Sequence, residues 1–202
     1  MKVVLHICCG VCAGAAAERL AREGRQVSGL FYNPNIYPAR EYKKRLEVAK
    51  RVAKELGFPL AAAAYTPEAW FEATRSLENE PEGGRRCEVC FRLRLERTYQ
   101  YMKDCGADAF ATTLTISPHK SAAVVNRVGW EVGGDSFLER DFKKQEGFKR
   151  AIELAKTWAL YRQDYCGCMY SLRDRQLVRN LSPGRPNSKE EAKGGSDHAC
   201  DC

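Results

Sequence analysis

Seven of the ten cysteines in this 202-residue chain fall into three tight groups that lie far apart in sequence. They are Cys8, Cys9 and Cys12 in CCGVC, Cys87 and Cys90 in CEVC, and Cys166 and Cys168 in CGC. Any fold the chain adopts has to account for that pattern. Cysteines needed only for packing scatter singly, whereas thiolates one to three residues apart can reach a common metal. The spacing points to a site assembled from three distant segments and built around metal or redox chemistry.

Disulfide staples are the first competing explanation, and the N-terminus argues against them. MKVVLHICCG has one lysine and a short apolar run interrupted by His6, unlike the apolar region and cleavage site of a signal peptide. No stretch approaches the ~18 apolar residues of a membrane span. A cytoplasmic protein with reduced thiols and no membrane partner is expected, and there clustered cysteines favour metal binding or catalysis over cross-linking. With 44% hydrophobic residues the chain can bury a core unaided, so a bound metal is expected to be functional rather than structural.

The chain alternates strand and helix signals. KVVLHI reads as a strand, AGAAAERLAREG as a helix ended by Gly24, and QVSGLFYNPN as a second strand closed by an Asn-Pro turn. Residues 39 to 56 form a helix with Tyr42, Leu46, Ala49, Val52, Ala53 and Leu56 on one face, followed by a weaker strand in PLAAAAY. Thr66-Pro67 starts a helix through EAWFEATRSL, which NEPEGGRR breaks. A helix is expected from Val89 to about Lys103, a fourth strand in ADAFATTLTI, a helix from Ser117-Pro118, and a late helix over 143–160 with Phe148, Ile152, Ala155 and Ala159 at helical spacing. This alternation argues for a single α/β domain with a parallel sheet over residues 1–181. From Ser182 to Cys202 the chain is polar and rich in Gly, Pro and Ser, and a disordered tail is expected there. Its HACDC end, with His198, Cys200 and Cys202, is read as an extension rather than a site.

Cys8 and Cys9 fall at the carboxyl end of the first strand and the mouth of the next helix, where ligands of open α/β sheets gather. A helix N-terminus also favours thiolate. The CEVC spacing suits zinc and iron-sulfur sites alike, and the glycine of CGC lets two neighbouring thiolates turn toward one centre. Seven thiolates exceed the four that one tetrahedral zinc or one cubane cluster uses. The surplus suggests a second metal or reactive thiols. His6 reads as a core residue, His119 as either a local cap or a substrate contact, and Cys105 as structural. GxGxxG and GxxxxGK[ST] loops are both missing.

Lys and Arg total 33 against 26 Asp and Glu, a formal charge of +7. The basic residues recur as Arg40, Lys43, Lys44 and Arg45, as Arg85, Arg86, Arg92, Arg94 and Arg97, and as Lys143, Lys144, Lys149 and Arg150. Solvated helix faces and a polyanionic partner both account for them.

HICCGVC, RCEVCFRLRLERT, TTLTISPHKS and DFKKQEGFKRAIELAKTWALYRQDYCGCMYS together resemble the QueH family of epoxyqueuosine reductases, over nearly all of residues 2–175. The resemblance implies a Rossmann-like parallel sheet of the nucleotide α-hydrolase-like type, with helices on both faces. It implies the last step of queuosine biosynthesis, the reductive deoxygenation of epoxyqueuosine in a tRNA anticodon loop, with neither cobalamin nor ATP and with an unidentified low-potential electron donor. Carried over by motif, Cys8, Cys9, Cys87, Cys90, Cys166 and Cys168 are metal ligands. The implied cofactors are a 4Fe-4S cluster and an adjacent iron, the second iron site being expected among Cys9, Cys12 and Cys168. Some members have Asp where this chain has Cys12. An anticodon loop is held through phosphate contacts and stacked bases, for which Tyr32, Tyr37, Tyr161 and Tyr165 are candidates, although core packing accounts for any one of them as well.

Two other classes stay open at this point. A tRNA-thiolating enzyme would share the fold, cluster and basic surface, but CCGVCAG stands where its SGGxDS loop would be. A zinc-stabilised RNA-binding module would need only four of the thiolates.

Overall fold

Four strands, β1 (Lys2–His6), β2 (Gln26–Phe31), β3 (Leu60–Ala62) and β4 (Ala109–Thr112), pair in parallel in the order β3-β2-β1-β4. The helices are α1 (Gly10–Arg22), α2 (Ala39–Glu55), α3 (Pro67–Ala73), α4 (Arg85–Asp104), α5 (Ala122–Gly133), α6 (Gly147–Thr157) and α7 (Met169–Leu181). This computed structural model describes residues 1–181, so the expected disordered tail, with His198, Cys200 and Cys202, lies outside the described residues. Among the described residues no helix is long and apolar enough to cross a membrane.

Side chains alternate across the sheet, as the two-residue period of a strand requires. Val3, Leu5 and Ile7 face α1, α2 and α6, packing with Ala13, Leu20, Val52, Ala151 and Ala155. Val4, Leu30 and Phe110 face α4 and α5, packing with Phe91, Leu95, Val125 and Val128. A parallel sheet covered on both faces explains why its strands are apolar throughout. The expected α/β, Rossmann-like architecture is therefore observed. β1 lies between β2 and β4, with α1 on one face and α4, backed by α5, on the other. The loops leaving β1 and β4 diverge and open a crevice at their carboxyl ends.

Helix α1 is held tightly against α2 at its first residue. A Cβ on Gly10 would stand 2.6 Å from the backbone carbon and oxygen of Val48, so two backbones touch where only glycine fits. Gly10→Ala is expected to destabilise the metal-free protein by roughly 1–3 kcal/mol through overpacking. Urea unfolding measures it, and an unchanged midpoint would show that the helices part without cost.

Several element boundaries differ from the sequence reading, each for a local reason. β4 ends at Thr112, whose hydroxyl accepts the Leu114 N–H at 3.2 Å and turns Thr113–Ile116 into a 3-10 helix. α5 begins at Ala122 rather than at Ser117-Pro118, because Ser121 caps it by accepting the Val124 N–H. The intervening loop is instead braced by Lys143, whose Nζ donates to the carbonyls of Thr115 and Lys120, both at 3.1 Å. α4 starts at Arg85 rather than Val89, since the Glu80 carboxylate accepts the Arg85 N–H at 3.1 Å in place of a cap. α3 stops at Ala73. The late helix is shorter than 143–160, because Gln145 and Glu146 take positive φ before Gly147. Its apolar stripe also divides: Ala155 is buried with Ala151 and Leu154, while Phe148 and Ile152 line a cavity described below. Helix α7 was not expected.

Candidate metal centre

Strand β1 delivers Cys8 and Cys9 to the crevice, and Cys9 is the extended N-cap of α1. Cys12 lies three residues on, which returns it to the same helix face. The Cys8, Cys9 and Cys12 sulfurs all lie within 4.8 Å of one another. Thr113, swung round by the 3-10 turn, accepts the Cys8 N–H at 3.1 Å and donates its hydroxyl to the Cys8 sulfur at 3.3 Å. Hydrogen bonds from Cys12 and Cys9 hold the Cys8 thiol well below its usual range, against the effect of burial. Cys9 is pushed up to about 12: its bond with Cys12 lowers it, but its bond with Cys8, burial and the Cys8 charge outweigh that. Cys12 is raised well above the usual range by its bond to Cys8 and by burial. One thiolate forms readily and the other two resist. Three convergent thiols of this kind ionise together only around a cation.

The other four cysteines lie on α4 and in the CGC segment, where Cys90 packs against Cys168. Because α4 starts early, Cys87 and Cys90 are both helical and one turn apart. The Gly83 N–H donates to the Cys87 sulfur at 3.2 Å. Cys166 and Cys168 flank Gly167, whose φ of +122° needs glycine and whose missing Cβ leaves room for the Arg45 guanidinium. Cys168 directly precedes α7, and its sulfur accepts the Ser171 N–H at 3.4 Å. Burial raises the Cys87 and Cys90 thiols, with the Cys166 charge adding to both. Burial and then Cys166 push Cys168 up to about 12. Cys90 and Cys168 pack in one buried cluster with Trp70 and Tyr170. Cys168 thus sits with Cys90 rather than with Cys9 and Cys12.

A cavity of about 770 Å³ reaches both groups, with Cys8, Cys12 and Cys166 in its wall. Lys120 also lines it. Burial disfavours its ammonium, but the Cys166 and Cys8 charges outweigh that and raise its pKa. Two buried polar side chains in the wall are unsatisfied: neither amide atom of Asn35 has a partner, nor does Arg94 Nη2. Those orphaned groups, with seven thiols, suit a site completed by a bound group.

The basic residues divide into unlike sets. Arg45, Arg86 and Arg94 are neither solvated nor available to a polyanion, being 1–3% exposed. Arg45 pairs with Glu41 at 2.7 Å and donates to the carbonyls of Cys166 and Tyr165 at 2.9 and 3.1 Å. Arg86 donates to the carbonyls of Leu77, Glu78 and Glu80, holding the segment before α4. Arg94 donates to the Cys90 carbonyl at 3.0 Å. Lys149 and Arg150 are paired with Glu146 and Glu18. Sequence reasoning missed the buried roles of Glu41 and Arg45. Their four-residue spacing, with Glu first, was the available signal.

Of the four tyrosines, Tyr165 lines the cavity and Tyr32 is buried. Tyr161 donates to both oxygens of Glu41, and Tyr37 is 44% exposed. His119 lines the cavity from the loop before α5, not from a helix. His6 is a core residue, as read: its Nε2 lies 3.2 Å from the Tyr32 carbonyl and its Nδ1 2.9 Å from the Thr112 hydroxyl. Burial and Arg94 lower its pKa to about 4, so the ring is neutral and ties β1 to β4 and to the end of β2. Cys105 is exposed beyond the far end of α4, on the order of 25 Å from Cys87 along the helix axis.

A family model described as "Epoxyqueuosine reductase QueH" matches residues 3–174. Curated relatives bearing that name include a protein of Acinetobacter baylyi, 38% identical over 91% of this chain and 86% of the relative. Others are from Streptococcus pyogenes serotype M1 (37%, covering 84% and 70%) and Thermotoga maritima (34%, covering 86% and 92%). Among solved structures, the U34-tRNA thiolase NcsA from Methanococcus maripaludis with its [4Fe-4S] cluster aligns with a TM-score of 0.49 at 14% identity, covering 92% of this chain and 67% of that one. With its motifs in place and the family model spanning almost all of the described residues, the chain belongs to the QueH family of epoxyqueuosine reductases.

Proposed function

We propose that this chain reduces epoxyqueuosine to queuosine in tRNA, the last step of queuosine biosynthesis, in the cytoplasm and with a low-potential electron donor. The observation that carries the reading is the Cys8, Cys9 and Cys12 triad, two of whose thiols share a cavity wall with Cys166, in a chain of this family. Cys87, Cys90, Cys166 and Cys168 would hold a 4Fe-4S cluster, whose four irons call for four thiolates. Cys8, Cys9 and Cys12 would hold the additional iron. Bound there, the two groups would supply electrons singly and a Lewis acid for the epoxide oxygen.

The reaction takes two electrons and two protons, breaks both carbon–oxygen bonds of the epoxide, and releases water as the alkene forms. The chain's own residues shape where that happens. Lys120 sets a positive charge in the cavity wall, opposite the negative thiolates. Thr113 and the backbone N–H groups of Gly83 and Ser171 hold sulfurs in place. Phe148, Ile152 and Tyr165 line the same cavity with apolar and aromatic surface for a splayed base.

Anaerobically reconstituted protein, given a low-potential reductant, is expected to convert epoxyqueuosine in tRNA to queuosine with neither ATP nor cobalamin added, as read by mass spectrometry of released nucleosides. tRNA binding is expected to weaken as salt rises, with a logarithmic slope of about −0.7 per phosphate contact for single strands. Epoxyqueuosine left untouched by iron-loaded, reduced protein would overturn the assignment. So would stoichiometric zinc without acid-labile sulfide.

A further inference from the structure

Cys9 and Cys12 are positioned by helix α1, one as its N-cap and the other in its first turn, but Cys8 falls between β1 and α1 and belongs to neither. Sheet bonding on this strand runs as far as Ile7, whose N–H donates to the Leu30 carbonyl at 2.8 Å. One residue on, the Cys8 N–H donates to the Thr113 hydroxyl oxygen at 3.1 Å, and that hydroxyl stands 3.3 Å from the Cys8 sulfur. A hydroxyl has one hydrogen and two lone pairs. With a lone pair taken by the N–H, its hydrogen is free to point at the sulfur. Thr113 is 0% exposed, so water does not compete for either bond.

Thr113 is itself set from the core. His6 stands opposite Thr112 in the β1–β4 register, so Thr113 follows where the two strands part. The Thr112 hydroxyl oxygen accepts the Leu114 N–H at 3.2 Å, which closes the 3-10 turn, and lies 2.9 Å from His6 Nδ1. His6 Nε2 is 3.2 Å from the Tyr32 carbonyl. A carbonyl only accepts, so Nε2 carries the hydrogen of the neutral ring and Nδ1 accepts from Thr112. A continuous set of bonds thus runs from the end of β2 through His6 and Thr112 to the turn that presents Thr113.

We propose that Thr113 is the positioning residue of the thiol triad: its hydroxyl fixes the Cys8 sulfur, the one triad thiol outside α1 and its cap, so that the triad retains the additional iron. The inference rests on the reading above that the triad holds that iron. One oxygen contacts both the nitrogen and the sulfur of the same residue. Rotation about the Cys8 Cα–Cβ bond to another staggered position would carry the sulfur out of its reach. The thiol is therefore oriented in the metal-free protein, and the same hydrogen bond would serve as outer support to a ligating sulfur. Thr113 does not line the cavity, so it acts through Cys8 and not on the substrate.

Three variants test this in the full chain, reconstituted anaerobically with isotopically enriched iron and sulfide. Thr113→Val keeps the branched shape without the hydroxyl, Thr113→Ala removes the hydroxyl without adding an apolar branch, and Thr113→Ser keeps the hydroxyl. In the valine and alanine variants, iron in excess of the cluster is expected to pass to EDTA at about 10- to 100-fold lower chelator concentration than in the wild type, with acid-labile sulfide unchanged. The Mössbauer doublet of the additional iron should shift in both, which a purely structural role would not cause. The serine variant should match the wild type in chelator resistance and in doublet. Urea unfolding of the metal-free proteins separates loss of iron from loss of fold. Wild-type chelator resistance and an unshifted doublet in the valine or alanine variant overturn the inference, as does a serine variant that yields its iron as readily as they do. A wild-type protein that holds a cluster but no further iron overturns the reading of the triad and this inference with it.

Discussion

Cys90→Ala is expected to abolish epoxyqueuosine reduction and to strip the reconstituted protein of acid-labile sulfide and visible absorption, and Cys87→Ala, Cys166→Ala and Cys168→Ala should do the same. Each removes one of the four thiolates proposed above to hold the cluster, two on α4 and two in the CGC segment, of which Cys90 and Cys168 pack together. Alanine offers no ligand, and the surrounding hydrogen bonds orient sulfurs without replacing one. Cys12→Ala is expected to behave differently. It breaks the triad while leaving the quartet whole, so sulfide should remain near the wild-type level. Reduction should still fall by more than the ~100-fold that loss of a supporting outer contact costs. Cys105→Ala, at an exposed thiol away from the centre, should change neither. Iron and sulfide analysis beside the nucleoside assay separates the cases. If Cys12→Ala lost sulfide as fully as Cys90→Ala, the division into triad and quartet would be wrong.

Arg45→Met should be among the most destabilising single changes in the chain. Arg45 is 3% exposed, pairs with the buried Glu41, and holds the carbonyls of Tyr165 and Cys166. Burial works against its charge, but Glu41 more than offsets this and raises its pKa. Removing one partner of a buried pair leaves the other charged and unpaired, which costs about 3–5 kcal/mol. The same substitution frees the segment that presents Cys166 and Cys168, so the cluster should also be lost faster to chelators. Adding Glu41→Gln to Arg45→Met should recover a good part of the stability, because the stranded carboxylate is gone and Tyr161 can still hydrogen-bond to the amide. Urea unfolding of metal-free protein measures both. A loss under ~1 kcal/mol for Arg45→Met would place the pair in the class of exposed ion pairs, contrary to its burial.

The parallel sheet and the position of the first cysteines were legible in the sequence because both depend on local signals. A β-branched run followed by small residues and a helix reads the same in any context, and it places Cys8 and Cys9 at a strand end. The family was legible for a related reason: thiol ligands admit no substitutes, so their spacing and flanks stay recognisable. Boundaries governed by side chains from elsewhere were not legible. The start of α4 depends on Glu80, and the late start of α5 on Ser121 and Lys143. Charge misled in the same way, since Arg45 and Arg94 look like surface residues until their carbonyl partners come together.

By itself the sequence determined that this chain forms an α/β sheet, that seven of its thiols stand in three close-spaced groups, and which family it belongs to. Only the tertiary structure decided that Cys8, Cys9 and Cys12 form one group, and that Cys90 of α4 packs against Cys168 of the CGC segment apart from it. It also decided that Cys8 and Cys12 share one cavity wall with Cys166. The physical reason is distance in the chain. Spacing within a helical turn is written in adjacent residues, whereas the meeting of α4 with the CGC segment depends on how two faces of one sheet are packed and on a buried arginine reaching across them.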